Sequence, residues 1–141
     1  MAGMEFSSGS RKTDKTALSI VLALLCILCI KVFMIDFMLA EGCSMTPAIK
    51  PGDILLVNKM AYGIKLPGSE QYLLRWNIPK SGDVLVFRTP MENIAVKRCT
   101  EMRGTDYFMA VGDNSKASFD SRSYGPIHVD AIIGKVIGIG Q

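Results

Sequence analysis

The stretch "DVLVFRTPMENIAVKRC", Asp83 to Cys99, holds two short runs of valine, isoleucine, leucine and phenylalanine around a Thr-Pro-Met-Glu break. Short β-branched and aromatic runs bounded by turn residues predict strands over Asp83–Arg88 and Asn93–Cys99. The same pattern recurs on both sides, in "DILLVNK" (Asp53–Lys59), "DYFMAV" (Asp106–Val111) and "IIGKVIGI" (Ile132–Ile139). Two of the runs follow near-identical turns, "KPGD" at Lys50–Asp53 and "KSGD" at Lys80–Asp83. We read these as matching entries into core strands, not as a repeat array. The five runs predict a mainly β fold, a small and strongly curved sheet or partial barrel. Between the first two strands, "MAYGIKLPGSEQYLLRWNIP" (Met60–Pro79) reads mostly as loop, with one helical turn around Glu70–Arg75. Its Tyr62, Leu66, Tyr72, Leu73, Leu74 and Trp76 are a large apolar load, which packing against the domain should cover. Contact with a bilayer is the alternative, since Trp and Tyr suit that interface.

The 141 residues suffice for one domain with its own core. Sixteen basic residues against 13 acidic ones give a net charge of only +3, with no long basic tract, so nucleic acid is not an expected partner. A hydrophobic content of 49% and a mean hydropathy of +0.27 are high for a soluble domain and point to one segment in lipid. "TALSIVLALLCILCI" (Thr16–Ile30) has no charge, and the apolar character resumes after Lys31 in "KVFMIDFMLA". At ~1.5 Å per residue the first part covers about 22 Å of a ~30 Å bilayer core. A helix continued to Phe33 or Ile35, with Lys31 snorkelling, would span. A cleavable secretory signal has a similar apolar length, but here the run restarts beyond Lys31 and no small-x-small site follows. "LAEGC" also fails as a lipoprotein signal, because Glu41 occupies a position that needs a small residue. Arg11, Lys12 and Lys15 precede the span and hold the N-terminus on the cytoplasmic side. The expected organisation is a cytoplasmic tail over 1–15, a single transmembrane anchor over 16–35, and an extracytoplasmic β-rich domain over 36–141.

Cys26 and Cys29 fall within the anchor, where they read as small packing residues. Cys43 and Cys99 lie in the outer part, where a disulfide is permitted but two cysteines do not establish one. The single His128 has no companion ligands, so no metal and no cofactor is expected.

The chemistry centres on "EGCSMTPAIKPGD" (Glu41–Asp53). Taken alone, Ser44 is a turn residue or helix N-cap. A base elsewhere changes that reading. Along "NIAVKRC", alternation puts Ile94, Val96 and Arg98 on one face, and Ala95, Lys97 and Cys99 on the other. A lysine on an apolar face is costly unless paired, exposed or neutral. The plain reading is an edge-strand lysine that snorkels to solvent. The chemical reading is a neutral amine able to take the proton of a serine, its pKa brought down from ~10.4 by burial at about 1.36 kcal/mol per unit. A serine-lysine pair is a recognised variant of the catalytic triad. "GDNSKASFDSRSYG" (Gly112–Gly125) reads as a solvated turn or as a supporting shell. In the second case Ser118 can hydrogen-bond an amine, and Asp120 can pair with Arg122 or Arg98.

Together these stretches resemble the bacterial type I signal peptidase family, membrane-anchored serine-lysine proteases that remove signal peptides. "SMTPAI" is similar to the family's Ser-Met-x-Pro-Thr-Leu box, and "GDILLVNKMAYGIKLP" to its next box almost residue for residue. "GDVLVFR", "VKR" and "GDNSKASFDSRSYG" follow in the family's order, so the resemblance runs from the anchor nearly to the C-terminus. It implies a small signal-peptidase-like β core, with Ser44 as nucleophile and Lys97 as general base. It also implies that Ser118 orients the lysine, that Met45 lines the substrate groove, and that Arg98, Asp113, Asp120 and Arg122 form structural ion pairs. Lysine at 97, where eukaryotic and archaeal-type members have histidine, fits the bacterial type. The implied partners are preprotein signal peptides, cut after a small residue, and the lipid bilayer.

The sequence departs from the family at three points. Gly42 stands where some members carry an oxyanion-hole serine, which leaves the oxyanion to backbone N–H groups, that of Ser44 included. "CTEMRGTDYFMAVGDN" (Cys99–Asn114) passes almost directly to the last box, where the family usually has Gly-x-Pro-Gly-Asp and a large inserted β-domain. Ser115 replaces the usual arginine. Competing readings are a dedicated conjugation or pilus-maturation peptidase of the same family, and a membrane-anchored β-module that does not catalyse. A self-cleaving repressor fits worse, because no DNA-binding domain precedes the core.

Overall fold

Each of the five predicted runs forms a strand. The computed structural model describes residues 10–140, so most of the expected cytoplasmic tail lies outside the described residues. A helix α1 (Ser10–Phe33) leads into β1 (Ile35–Leu39), β2 (Ile54–Asn58), the short β3 (Gly63–Lys65) and β4 (Tyr72–Arg75), β5 (Val84–Arg88), β6 (Ile94–Arg103) and β7 (Tyr107–Val111). A four-residue helix α2 (Ser121–Tyr124), β8 (Ile127–His128) and β9 (Ile132–Gly140) complete the chain. Seven strands make one antiparallel sheet in the order β1-β2-β9-β5-β6-β7-β8, and β3 and β4 form a separate ribbon.

The uninterrupted apolar run of β5 has a direct cause: both of its faces are covered. Leu85 and Phe87 enter one cluster with Tyr62, Cys99, Phe108 and Ile132, and Phe87 meets Phe108 edge to face at 5.5 Å. Val86 points the other way, into a cluster with Met45, Ile49, Leu55 and Val57. A strand buried on both sides needs no polar alternation. Register shifts at Leu56/Val57, Val86/Phe87 and Cys99/Glu101 are bulges that bend and twist the sheet. The sheet rolls far enough for β1 and the start of β6, four places apart in strand order, to face each other across one cleft.

Three expectations are corrected here. The helical turn expected around Glu70–Arg75 is instead β4, paired with β3. Aromatic and leucine side chains tolerate a pleated ribbon, and Gly63 lets the two backbones close, since a Cβ there would lie 2.4 Å from the Leu74 carbonyl oxygen. The apolar load of this segment is only partly covered. Tyr62 is buried and Tyr72 packs on the first cluster, but Leu66, Leu73, Leu74 and Trp76 are 53%, 66%, 61% and 51% exposed. Finally, the helix stops at Phe33, and Ile35, the hydropathy-based end of the anchor, opens β1 opposite Asn58. Among the described residues no helix is long and apolar enough to cross a membrane. The side chains of α1 are described over 15–31, about 25 Å of helix, and its leucines, isoleucines and valine from Leu18 to Ile30 are all exposed.

Candidate active site

Ser44 sits in the turn between β1 and β2. Ile49 N–H closes that turn on the Met45 carbonyl at 2.9 Å, and Met45 and Ile49, 3% and 2% exposed, pin it to the second core cluster. Asn114 stitches it to the loop after β7. Its backbone N–H donates to the Ser44 carbonyl at 2.9 Å, and its Nδ2 donates to the Cys43 carbonyl and to Thr46 Oγ1, both at 3.1 Å.

Lys97 comes from β6, opposite Leu85, and shares a strand face with Ala95 and Cys99. It is 5% exposed. Its Nζ donates to Ser44 Oγ at 2.5 Å. Burial lowers the Lys97 pKa from the ordinary lysine range, and the charge of Asp120 works against that shift. The two groups, 53 residues apart in sequence, therefore meet as a hydroxyl against an amine that is predisposed to lose its proton. Once that amine is neutral, the same contact lets the serine O–H donate to the nitrogen lone pair.

Beside the contact runs a cleft of about 540 Å³ between β1 and residues 94–97 of β6, floored by Met45, Ile49 and Val86. Both walls have free edges. Among the described residues β1 pairs only with β2, and β6 begins to pair with β7 only at Arg98.

The family model described as signal peptidase, peptidase S26, matches residues 13–106 and 95–139. The chain belongs to that family. Similar proteins are the signal peptidase I of Buchnera aphidicola subsp. Baizongia pistaciae, 35% identical over 97 residues, which are 67% of this chain and 31% of that protein. The signal peptidase I of Pseudomonas aeruginosa is 42% identical over 67 residues, 47% of this chain and 23% of that protein. That of Haemophilus influenzae is 32% identical over 91 residues, 53% of this chain and 26% of that protein. The chain thus spans about a third or less of the length of these relatives.

In this member of the peptidase S26 family, the other expected site residues fall into two groups. Arg98 makes a two-pronged pair with Asp113, at 2.9 and 2.7 Å, and donates to the Gly82 carbonyl at 3.0 Å. Asp120 is fully buried and accepts from Arg122 Nε and Nη2 at 2.9 and 2.8 Å, and from the Gly112 and Arg122 N–H groups at 3.0 and 3.2 Å. The Ser118 hydroxyl also donates to Asp120, at 2.5 Å. Burial opposes the ionisation of Asp120, but Arg122, Gly112 and Ser118 outweigh it and hold the carboxyl well below the usual carboxylate range. Ser118, expected on the amine of Lys97, gives its hydroxyl proton to the buried Asp120 carboxylate, a strong acceptor, and its oxygen keeps lone pairs for a donor.

Two further residues were not singled out from the sequence. A Cβ on Gly112 would lie 2.2 Å from Ser118 Oγ and 2.5 Å from the Ser44 carbonyl oxygen, so the missing side chain lets those two segments meet. Ser121, 1% exposed, takes the Ala110 N–H at 2.6 Å and donates to the Ala110 carbonyl, which fastens α2 to β7. Gly112 sits inside the Gly-Asp-Asn box, so its glycine was the available signal. Cys43 is exposed, Cys99 is buried, and both are free thiols. His128 accepts from the Asp130 N–H at 3.2 Å and caps a short turn. Among the described residues no cluster of His, Cys, Asp and Glu could hold a metal.

Proposed function

We propose that this chain is a membrane-anchored serine endopeptidase that removes N-terminal signal peptides from exported preproteins. The observation that carries the reading is the 2.5 Å contact between Ser44 Oγ and the Nζ of the buried Lys97. Neutral Lys97 takes the Ser44 proton as Oγ attacks the carbonyl carbon after the signal's last small residue. The oxyanion forms near the Ser44 N–H, which has no protein acceptor among the described residues. Lys97 then protonates the departing amine, leaving an acyl ester on Ser44. Next it takes a proton from water, which attacks the ester, and hands that proton to Ser44 Oγ as the acyl bond breaks and the signal peptide leaves. An extended substrate would lie in the cleft and pair with the free edges of β1 and of residues 94–97. Ser118, Asp120 and Arg122 back the site, Arg98 and Asp113 brace its rim, and Met45 lines the groove.

We assign the anchor to α1. Thr16–Ile30 is uncharged, its large apolar side chains face outward all round, and Thr16 to Phe33 gives about 27 Å of helix against a core of ~30 Å. The N-terminus would be cytoplasmic and the β domain extracytoplasmic. Holding enzyme and signal peptide in one membrane raises their effective concentration. The test is cleavage of a purified preprotein by detergent-solubilised wild type, Ser44→Ala and Lys97→Ala, with sequencing of the new N-terminus. Loss of cutting in both variants, with wild-type cleavage after a small residue, is the expected result. Cutting that survives in either variant, or a folded wild type that cuts no preprotein, refutes it.

A further inference from the structure

The peptide group between Cys43 and Ser44 is held at its carbonyl end by three donors. The Cys43 carbonyl accepts from Thr46 Oγ1 at 2.9 Å, from Asn114 Nδ2 at 3.1 Å and from the Thr46 N–H at 3.3 Å. Asn114 Nδ2 gives its other proton to Thr46 Oγ1, also at 3.1 Å, so the two side chains close a triangle on that carbonyl. The triangle fixes which way the Asn114 amide faces. The Thr46 hydroxyl proton is already committed to Cys43, so an amide oxygen turned inward would meet only acceptors. One residue on, the Asn114 backbone N–H holds the Ser44 carbonyl at 2.9 Å.

A carbonyl held this firmly sets the direction of the N–H at the other end of its peptide. The Cys43–Ser44 bond is trans, so the Ser44 N–H points away from the carbonyl's donors. Those donors sit in the turn after Ser44 and in the loop after β7, whereas the cleft lies beyond Ser44, between β1 and residues 94–97. Among the described residues no acceptor takes this N–H. Gly42, which also lines the cleft, has no side chain to add a second donor there.

We propose that Thr46 and Asn114 are positioning residues for the oxyanion: by clasping the Cys43 carbonyl they aim the Ser44 N–H into the cleft before substrate arrives. A donor aimed in advance costs no reorganisation as charge develops, and hydrogen bonds at a peptide carbonyl polarise the N–H of the same group. The proposal rests on the serine peptidase reading of the site.

The test compares the detergent-solubilised full chain with its Thr46→Val, Thr46→Ser and Asn114→Ala variants. Valine keeps the shape of threonine without the hydroxyl, and Asn114→Ala leaves the backbone bond to the Ser44 carbonyl in place. The readouts are kcat and KM on a signal-sequence peptide, thermal melts, and the affinity of a peptide aldehyde of the same sequence. Ser44 Oγ adds to the aldehyde carbon and passes its proton by way of Lys97 to the carbonyl oxygen, so the hemiacetal sets an oxygen where the oxyanion forms. Thr46→Val and Asn114→Ala should each lower kcat by about 10-fold, and together by the ~10²-fold of a lost oxyanion donor. Aldehyde affinity should fall in step, with KM and the limb of the pH–rate profile unmoved, and Thr46→Ser should retain the wild-type kcat. Folded Val and Ala variants with wild-type kcat overturn the proposal, as does a Thr46→Ser enzyme as slow as Thr46→Val. A lower kcat with unchanged aldehyde affinity, or with a displaced pH limb, also overturns it and assigns the clasp to the spacing of the dyad. Variants that fail to fold assign it to stability alone. A folded wild type that neither cuts nor takes up the aldehyde removes the peptidase reading, and this proposal with it.

Discussion

Gly112→Ala tests the site through the smallest available change. The new methyl would start 2.2 Å from Ser118 Oγ and 2.5 Å from the Ser44 carbonyl oxygen, about 1 Å short of a normal contact on both sides. Gly112 is buried and its N–H is held on Asp120, so the loop bearing Ser118 and the turn bearing Ser44 must move apart. The Asn114 bond to the Ser44 carbonyl resists that motion, and the slack appears between Ser44 Oγ and Lys97 Nζ. Overpacking of this kind costs about 1–3 kcal/mol, which a stable domain survives, whereas a misplacement of about 1 Å between reacting groups costs on the order of 10²-fold in rate. The assay is kcat/KM on a signal-sequence peptide beside a thermal melt. Gly138→Ala is the control, since its methyl meets Leu56 Cβ at an ordinary 3.5 Å. A folded Gly112→Ala enzyme that cleaves at the wild-type rate refutes the claim that this glycine sets the spacing of the dyad.

Other outcomes follow from the same geometry. The rate should rise with pH and level off below the ordinary lysine value of ~10.4, because burial lowers the Lys97 pKa and only the neutral amine is a base. Asp120 raises that pKa, so Asp120→Asn should move the limb of the pH–rate profile to more acidic pH. The lowered pKa of Asp120 also ties stability to pH: its contribution is intact above ~3.9 and is lost as pH falls through the folded value. Melts of Asp120→Asn should show a lower midpoint at neutral pH and a flatter acid dependence. Phe87→Ala removes a fully buried ring at the centre of the first cluster and should cost about 3–5 kcal/mol in urea unfolding. Arg98→Ala should cost only about 1 kcal/mol, because that pair is partly open to solvent; a loss as large as that of Phe87→Ala would assign Arg98 a core role.

The strands legible in the sequence were those whose burial left a composition mark. Val84–Arg88 reads as a strand because both of its faces are covered, and Ile132–Gly140 because it runs between β2 and β5. Hydropathy hid β1 for the opposite reason: "KVFMIDFMLA" continues the apolar run of α1, and only the likeness to the family would start a strand near Phe33. β3 and β4 were masked by Gly63, Pro67 and Gly68, which look like loop punctuation until the pairing with Tyr72–Arg75 is seen. β6 runs on to Arg103 through polar Thr100, Glu101 and Arg103 because that end is exposed. At the site, alternation made Lys97 suspect, and Lys97 made Ser44 interesting. Gly112 and Ser121 act by what they allow across the fold, and a linear sequence does not display that.

Under the proposed function, the place of β9 bears on when the molecule could begin to cut. Ser44 is carried by the β1–β2 side of the sheet and Lys97 by the β5–β6 side, and within the sheet the strand that joins the two is β9, the last in the described chain. A nascent chain lacking residues from Ile132 onward holds Ser44 and Lys97 on two strand pairs with no shared ladder between them. On the proposed function, cutting would be deferred until synthesis has passed β9, so a half-made chain would not act on its neighbours or on itself.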